Sequence, residues 1–155
     1  MAFDGFPDEA FSFLKGLAED NSKDWFQANR KAYEKGLMDP AKAFVTALGE
    51  RLTGLDPAIV AEPRVNGSIF RINRDVRFSK DKTPYKTHLD LWFWHGEGRT
   101  TARSGFYFRM FHDRLLLGAG CHTFSKEQLA AYREAVAEAP WGDRAAAIVA
   151  DLRGL

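Results

Sequence analysis

Between Arg71 and Lys86, arginine, lysine, aspartate and tyrosine alternate with few apolar interruptions, and this is where the chain concentrates groups able to do chemistry. Arginine guanidinium groups present planar forks of donors that match phosphate or carboxylate oxygens. Arg71, Arg74 and Arg77, with Lys80 and Lys82, would grip an anion if the backbone curls. In a helical turn Arg71, Arg74 and Asp75 share one face, as do Arg74 and Arg77. A change from strand to turn near Asn73 would therefore cluster the three arginines. Asp75 and Asp81 would hold them in place, and Tyr85 would supply a hydroxyl or a stacking face. A second reading stays open beside this one. Alternating Arg, Asp and Lys also form ion-pair networks whose only role is to pin a loop to its domain.

Charge balance singles out the same place. Residues 64–86 carry seven cations against Asp75 and Asp81, a surplus of +5 in a chain whose total is +1, which leaves −4 for the rest. A local field of that kind attracts anions even when the total charge is small. The near-neutral total gives no global reason to expect nucleic acid or an acidic membrane.

Other signals are weaker. His88 and Asp90 fall two apart on an expected strand and so share a face, which is half of an acid–base or metal site. No HExxH pattern is present, the four histidines show no helical pairing, and neither a metal site nor a cofactor is expected. A single cysteine, Cys121, excludes an internal disulfide and a multi-cysteine zinc site. It neighbours His122 on a strand, so the two side chains point to opposite faces. Trp92 and Trp94 share the face of His88 and Asp90, where they would either line a groove beside the basic segment or pack under the helices, with core packing the expected reading. Gly118 and Gly120 sit in an apolar strand, where glycine suits close packing.

The elements that must position these groups follow from period and punctuation. Pro7 opens a helix over 7–19 with Phe11, Leu14, Leu17 and Ala18 on one face. Ser22 caps a second helix to about Lys35. Pro40 opens a third to about Leu52. The period then changes, and strands are predicted over 66–73, 87–95, 105–111 and 114–121, the last two as a hairpin turning at His112 and Asp113. Pro84 disfavours helix at Thr83, so the chain should leave the basic segment extended. A polar loop is expected over 96–103. Ser125 and Gln128 form a capping box for a helix to about Ala139, and a last helix starts near Gly142.

Helices, then strands, then helices predict an α+β fold over 1–155, a single domain with a mainly antiparallel sheet of about four strands. Aromatic residues reach 14%, with 13 Phe and 4 Trp, so the core should be bulky. The N-terminus lacks the pattern of a secretion signal and no apolar run approaches bilayer length, so a cytoplasmic protein is expected, with no membrane partner. The chain stops soon after its last helix without a closing feature, which leaves room for a further C-terminal segment.

The pattern Arg71-x-x-Arg74-Asp75-x-Arg77-Phe78-x-x-Asp81-Lys82-x-x-Tyr85 resembles the signature of the bacterial family called domain of unknown function 2461. Asp24-Trp25-Phe26 with Tyr33 is similar to that family's first helix pair, and Gly118-Ala119-Gly120 to one of its strands. Members usually continue further at the C-terminus. The resemblance implies a grouping and a motif, and it carries no mechanism with it. Function is therefore expected from the residues: a domain binding a phosphate- or carboxylate-bearing small molecule through Arg71, Arg74, Asp75, Arg77, Lys80, Asp81, Lys82, Tyr85 and His88. Two alternatives stand beside it. One is an enzyme acting on a phosphorylated substrate with Asp75, His88 or Asp90 as acid or base. The other is a nucleic-acid or protein-docking module in which Phe78, Tyr85, Trp92 and Trp94 stack between cations.

Overall fold

The computed structural model describes residues 3–98 and 103–154, so the polar loop expected over 96–103 lies partly outside the described residues. Helices α1 (Asp8–Glu19) and α2 (Lys23–Ala28) lead through a π-helical segment (Ala32–Met38) into α3 (Asp39–Leu55). Strands β1 (Ile59–Val60), β2 (Leu89–His95), β3 (Ser104–Met110) and β4 (Leu115–Cys121) follow, and α4 (Lys126–Ala137) and α5 (Trp141–Leu152) end the chain. These four strands pair antiparallel throughout, in the order β1-β2-β3-β4. The fold is α+β with helices at both ends of the chain.

Strand alternation divides the sheet into two unlike faces. Leu89, Leu91 and Phe93 of β2 and Phe108 and Met110 of β3 join one buried cluster with Phe13, Leu14, Leu17, Leu37, Met38 and Val45 from the N-terminal helices. Burying so many bulky apolar groups on one side supplies the main driving force for the domain. The opposite face carries Asp90 and Trp92 from β2, paired across the strands with Arg109 and Tyr107 from β3. Directly opposed residues of an antiparallel pair lie on the same face. The two tryptophans are buried on this second face and lie outside the helix-packed cluster, which corrects the expectation that they pack under the helices.

Local signals explain the helices. Ser22 Oγ accepts a hydrogen bond from the Trp25 amide at 3.1 Å, as an N-cap should. The second helix nonetheless stops at Ala28 instead of near Lys35. There the Asn29 side chain donates to the Trp25 carbonyl at 2.9 Å, a local bond that competes with continued helix. In α1 the buried stripe is Ala10, Phe13, Leu14 and Leu17, so Leu14 and Leu17 are buried as expected while Ala10 and Phe13 take the places predicted for Phe11 and Ala18. Ser125 and Gln128 form the expected capping box at α4.

The predicted strand over 66–73 does not form. Ile59–Val60 takes the edge beside β2, and 66–73 contributes only isolated bridges, Ile69 with Val65 and with Leu91, and Asn73 with Tyr85. A tight turn at Asn66 and Gly67 starts this segment, with Asn66 at φ 62°. Phe70 N–H then donates to the Asp90 carbonyl at 3.0 Å, and the Trp92 N–H donates to the Ser68 carbonyl at 2.9 Å. After those two bonds the chain turns away from the sheet edge into the polar residues that follow.

Candidate functional site

The basic segment is a long loop closed by its own ladder. Lys86 N–H donates to the Ile72 carbonyl and Arg74 N–H to the Pro84 carbonyl, both at 2.8 Å. Residues 84–86 therefore return extended, as Pro84 predicts. Tyr85 anchors the return. Its buried ring stacks on Phe26 with centroids 4.3 Å apart and planes at 14°. Asn21 clamps its backbone, accepting from the Tyr85 N–H at 3.0 Å and donating to its carbonyl at 3.1 Å.

Within the loop the arginines are divided between two carboxylates and do not converge on one point. Arg74 Nη1 donates to Asp81 Oδ2 at 2.5 Å and to the Thr83 hydroxyl. Arg77 makes a two-pronged pair with Asp75, at 2.9 and 2.7 Å. Arg71 adds a longer-range attraction to Asp75. Lys82 Nζ donates to the Val76 carbonyl at 2.9 Å, and Lys80 is exposed. The bonds from Arg77 lower the Asp75 pKa to about 2. Bonds from Thr83 and Arg74 lower Asp81 to about 2 as well. Phe78 stands at 96% exposure with the Arg77 guanidinium 5.8 Å from its ring centroid.

The Asp90 side chain, 6% exposed, is the hub of a second cluster. Its Oδ1 accepts from Arg109 Nε at 2.6 Å and from the Tyr107 hydroxyl at 2.7 Å. Its Oδ2 accepts from Arg109 Nη2 and Lys86 Nζ, both at 3.2 Å, with His88 Nε2 at 3.3 Å. Burial pushes the Asp90 pKa up, but the bonds from His88, Arg109 and Tyr107 outweigh it and hold the carboxyl well below the usual range. A carboxylate held so firmly ionised is a poor proton acceptor near neutral pH. Asp90 thus acts as a fixed negative charge that orients cations. Burial and the Asp90 charge together push the Tyr107 hydroxyl pKa upward, so it stays a donor.

Lys86, Asp90, Tyr107 and Arg109 of this cluster line a cleft of about 590 Å³. Phe70, Trp92 and Tyr107 add aromatic surface, and β4 supplies Gly118 and Gly120. A Cβ added at either glycine would meet nothing within 4 Å, so they do not serve close packing as the strand pattern suggests. Cys121 and His122 stand at the end of β4 and also line the cleft.

Of the residues proposed from sequence, His88 joins the Asp90 cluster, while Arg71, Arg74, Asp75, Arg77, Lys80, Asp81 and Lys82 stay on the loop. The two regions share a boundary, because Phe70 and Lys86 flank the loop and line the cleft. Sequence reasoning counted Lys86 in the basic segment without assigning it to the site, and it missed Tyr107 and Arg109 altogether. Their signal was an arginine two residues after a tyrosine in an otherwise apolar strand, a spacing that puts both on one face. Among the described residues, no group of three or more His, Cys, Asp or Glu side chains is placed to hold a metal ion. No described helix is long and apolar enough to cross a membrane.

No curated protein and no solved structure matches the chain. A family model described as conserved hypothetical protein (DUF2461) does match, over residues 9–152, a span that takes in the loop, the Asp90 cluster and the whole sheet. The chain belongs to the DUF2461 family.

Proposed function

We propose that this domain binds a small molecule through an anionic group, phosphate or carboxylate, held by Lys86 and Arg109 in the cleft. One observation carries the reading. A single buried carboxylate holds two cations at the cleft wall and uses only part of their donor capacity. Asp90 engages Nε and Nη2 of Arg109 and one bond of Lys86. Arg109 has five N–H donors and Lys86 three. Two cations against one carboxylate leave a surplus of +1 before His88 is counted. Lys86 and Arg109 side chains are 25% and 32% exposed, so they are partly shielded yet reachable. Low dielectric strengthens attraction to an anion there relative to the open surface.

The loop has a supporting part in this proposal. Asp75 and Asp81 brace it, Tyr85 anchors it, and Arg71, Arg77, Lys80 and Lys82 add positive charge to a loop whose flanking residues Phe70 and Lys86 line the cleft. Charge of that kind raises encounter rates with anions.

Titration with inorganic phosphate and with acetate, followed by NMR of the Arg109 Nε–H and Lys86 signals, tests the reading. Saturable shifts that weaken with added salt are expected. Lys86→Gln should abolish them and Arg77→Gln should leave saturation intact. Shifts that do not saturate, or that persist unchanged in Lys86→Gln, would sink the proposal.

A further inference from the structure

We infer that the ligand of this cleft is a flat aromatic acid, its ring lying on the glycines of β4 and its acid group meeting Lys86 and Arg109. The inference rests on the anion-binding reading and adds the body that carries the anion.

The cleft's cations and aromatic rings are interleaved. Lys86 Nζ lies 5.2 Å from the Phe70 ring centroid, and the Arg109 guanidinium carbon lies 5.3 Å from that of Tyr107. Cations over ring faces are held by the ring quadrupole. An acid group reaching them thereby brings its own skeleton against Phe70, Tyr107 and Trp92. Trp92 is buried, and its indole Nε1, like that of Trp94, is enclosed with no hydrogen-bond partner among the described residues. A buried donor left without an acceptor is costly.

The floor of the cleft supplies the second observation. Gly118 pairs with Tyr107 across the sheet, and Gly120 with Gly105. On this face β2 and β3 raise Trp92, Tyr107 and Arg109, while Gly105 of β3 and β4 at 118 and 120 raise no side chain. Gly120 has φ +143°, a backbone conformation that explains its glycine. Gly118 has no such φ and no neighbour that a Cβ would strike. Glycine weakens a strand interior and often marks a bulge, a bend or the close approach of a ligand or another backbone. Absent side chains opposite a row of rings leave a slot for something flat. Ligand pockets commonly span roughly 300–1,000 Å³, and the cleft's volume of about 590 Å³ is ample for a fused bicyclic acid.

Isothermal titration of the full chain with 2-naphthoate, cyclohexanecarboxylate and inorganic phosphate provides the test. 2-Naphthoate should bind at least about tenfold more tightly than either other probe, a difference well within the reach of aromatic stacking. Gly118→Leu, which fills open space on the floor, should weaken 2-naphthoate by about tenfold or more while phosphate binding is unchanged. Gly118→Ala provides a milder filling and should give a smaller loss in the same direction. Phosphate binding with no preference for 2-naphthoate, or a preference that survives Gly118→Leu in a folded protein, overturns the aromatic inference and leaves the anion site standing. Binding of none of the three probes overturns both.

Discussion

In the loop, arginines meet carboxylates two and seven residues away along the chain, and those carboxylates stay exposed to water. At Asp90, the partners Tyr107 and Arg109 come from 17 and 19 residues away, on the next strand, and the carboxylate leaves water. The same residue types therefore do different work. Water weakens the attraction in an exposed pair, and ordering two side chains offsets much of what remains. The loop accordingly owes its shape to its backbone ladder, the Asn21 clamp and the Tyr85 stack. A buried carboxylate has no such latitude, because its charge must be met in full by protein donors. That obligation fixes Lys86, His88, Tyr107 and Arg109 around one point and makes the cluster a rigid support for a binding site.

The largest expected effect breaks the comparison at Asp90. Asp90→Asn removes the charge that Lys86 and Arg109 face, and should cost about 3 kcal/mol in urea unfolding, the low end for a buried pair because both cations can rehydrate. A loss no larger than that of the loop variants below would erase the distinction between the two clusters.

An acid titration sharpens it next. The folded Asp90 pKa is depressed, so its contribution is present above the unfolded value of about 3.9 and is lost as pH falls through the folded value. Asp75 and Asp81, each at about 2, act with the same sign. The wild-type stability should fall between pH ~4 and ~2, and the fall should be shallower in Asp90→Asn, which keeps the two loop carboxylates. Parallel curves for the two proteins would show that Asp90 gains no stability from its charge.

The smallest effects belong to the loop. Arg74→Gln breaks the pair with Asp81 and the bond to Thr83, and should lower the urea midpoint slightly. Arg77→Gln, which loses an exposed local pair and a contact with the exposed Phe78 ring, should leave the midpoint unchanged. A marked drop in Arg77→Gln would mean that the loop's ion pairs, and not its backbone ladder, hold its shape.

Much of the architecture was legible in the chain itself. Period and punctuation located the helices, β2 and the β3–β4 hairpin, because apolar spacing, Ser caps and the turn at His112 and Asp113 act over a few residues. The density of charge between Arg71 and Lys86 was legible for the same reason, as was the extended return after Pro84. The partners of those charges were not. Whether Arg74 meets an anion or Asp81 depends on where a loop closes. Asp90 became a hub only when β3 folded beside β2 and brought Arg109 across from it. The tryptophans and Gly118 also changed meaning once the helices took the other face of the sheet. Local rules act on neighbours in sequence and can be read from it; register and burial act between distant segments, and only the folded sheet decides them.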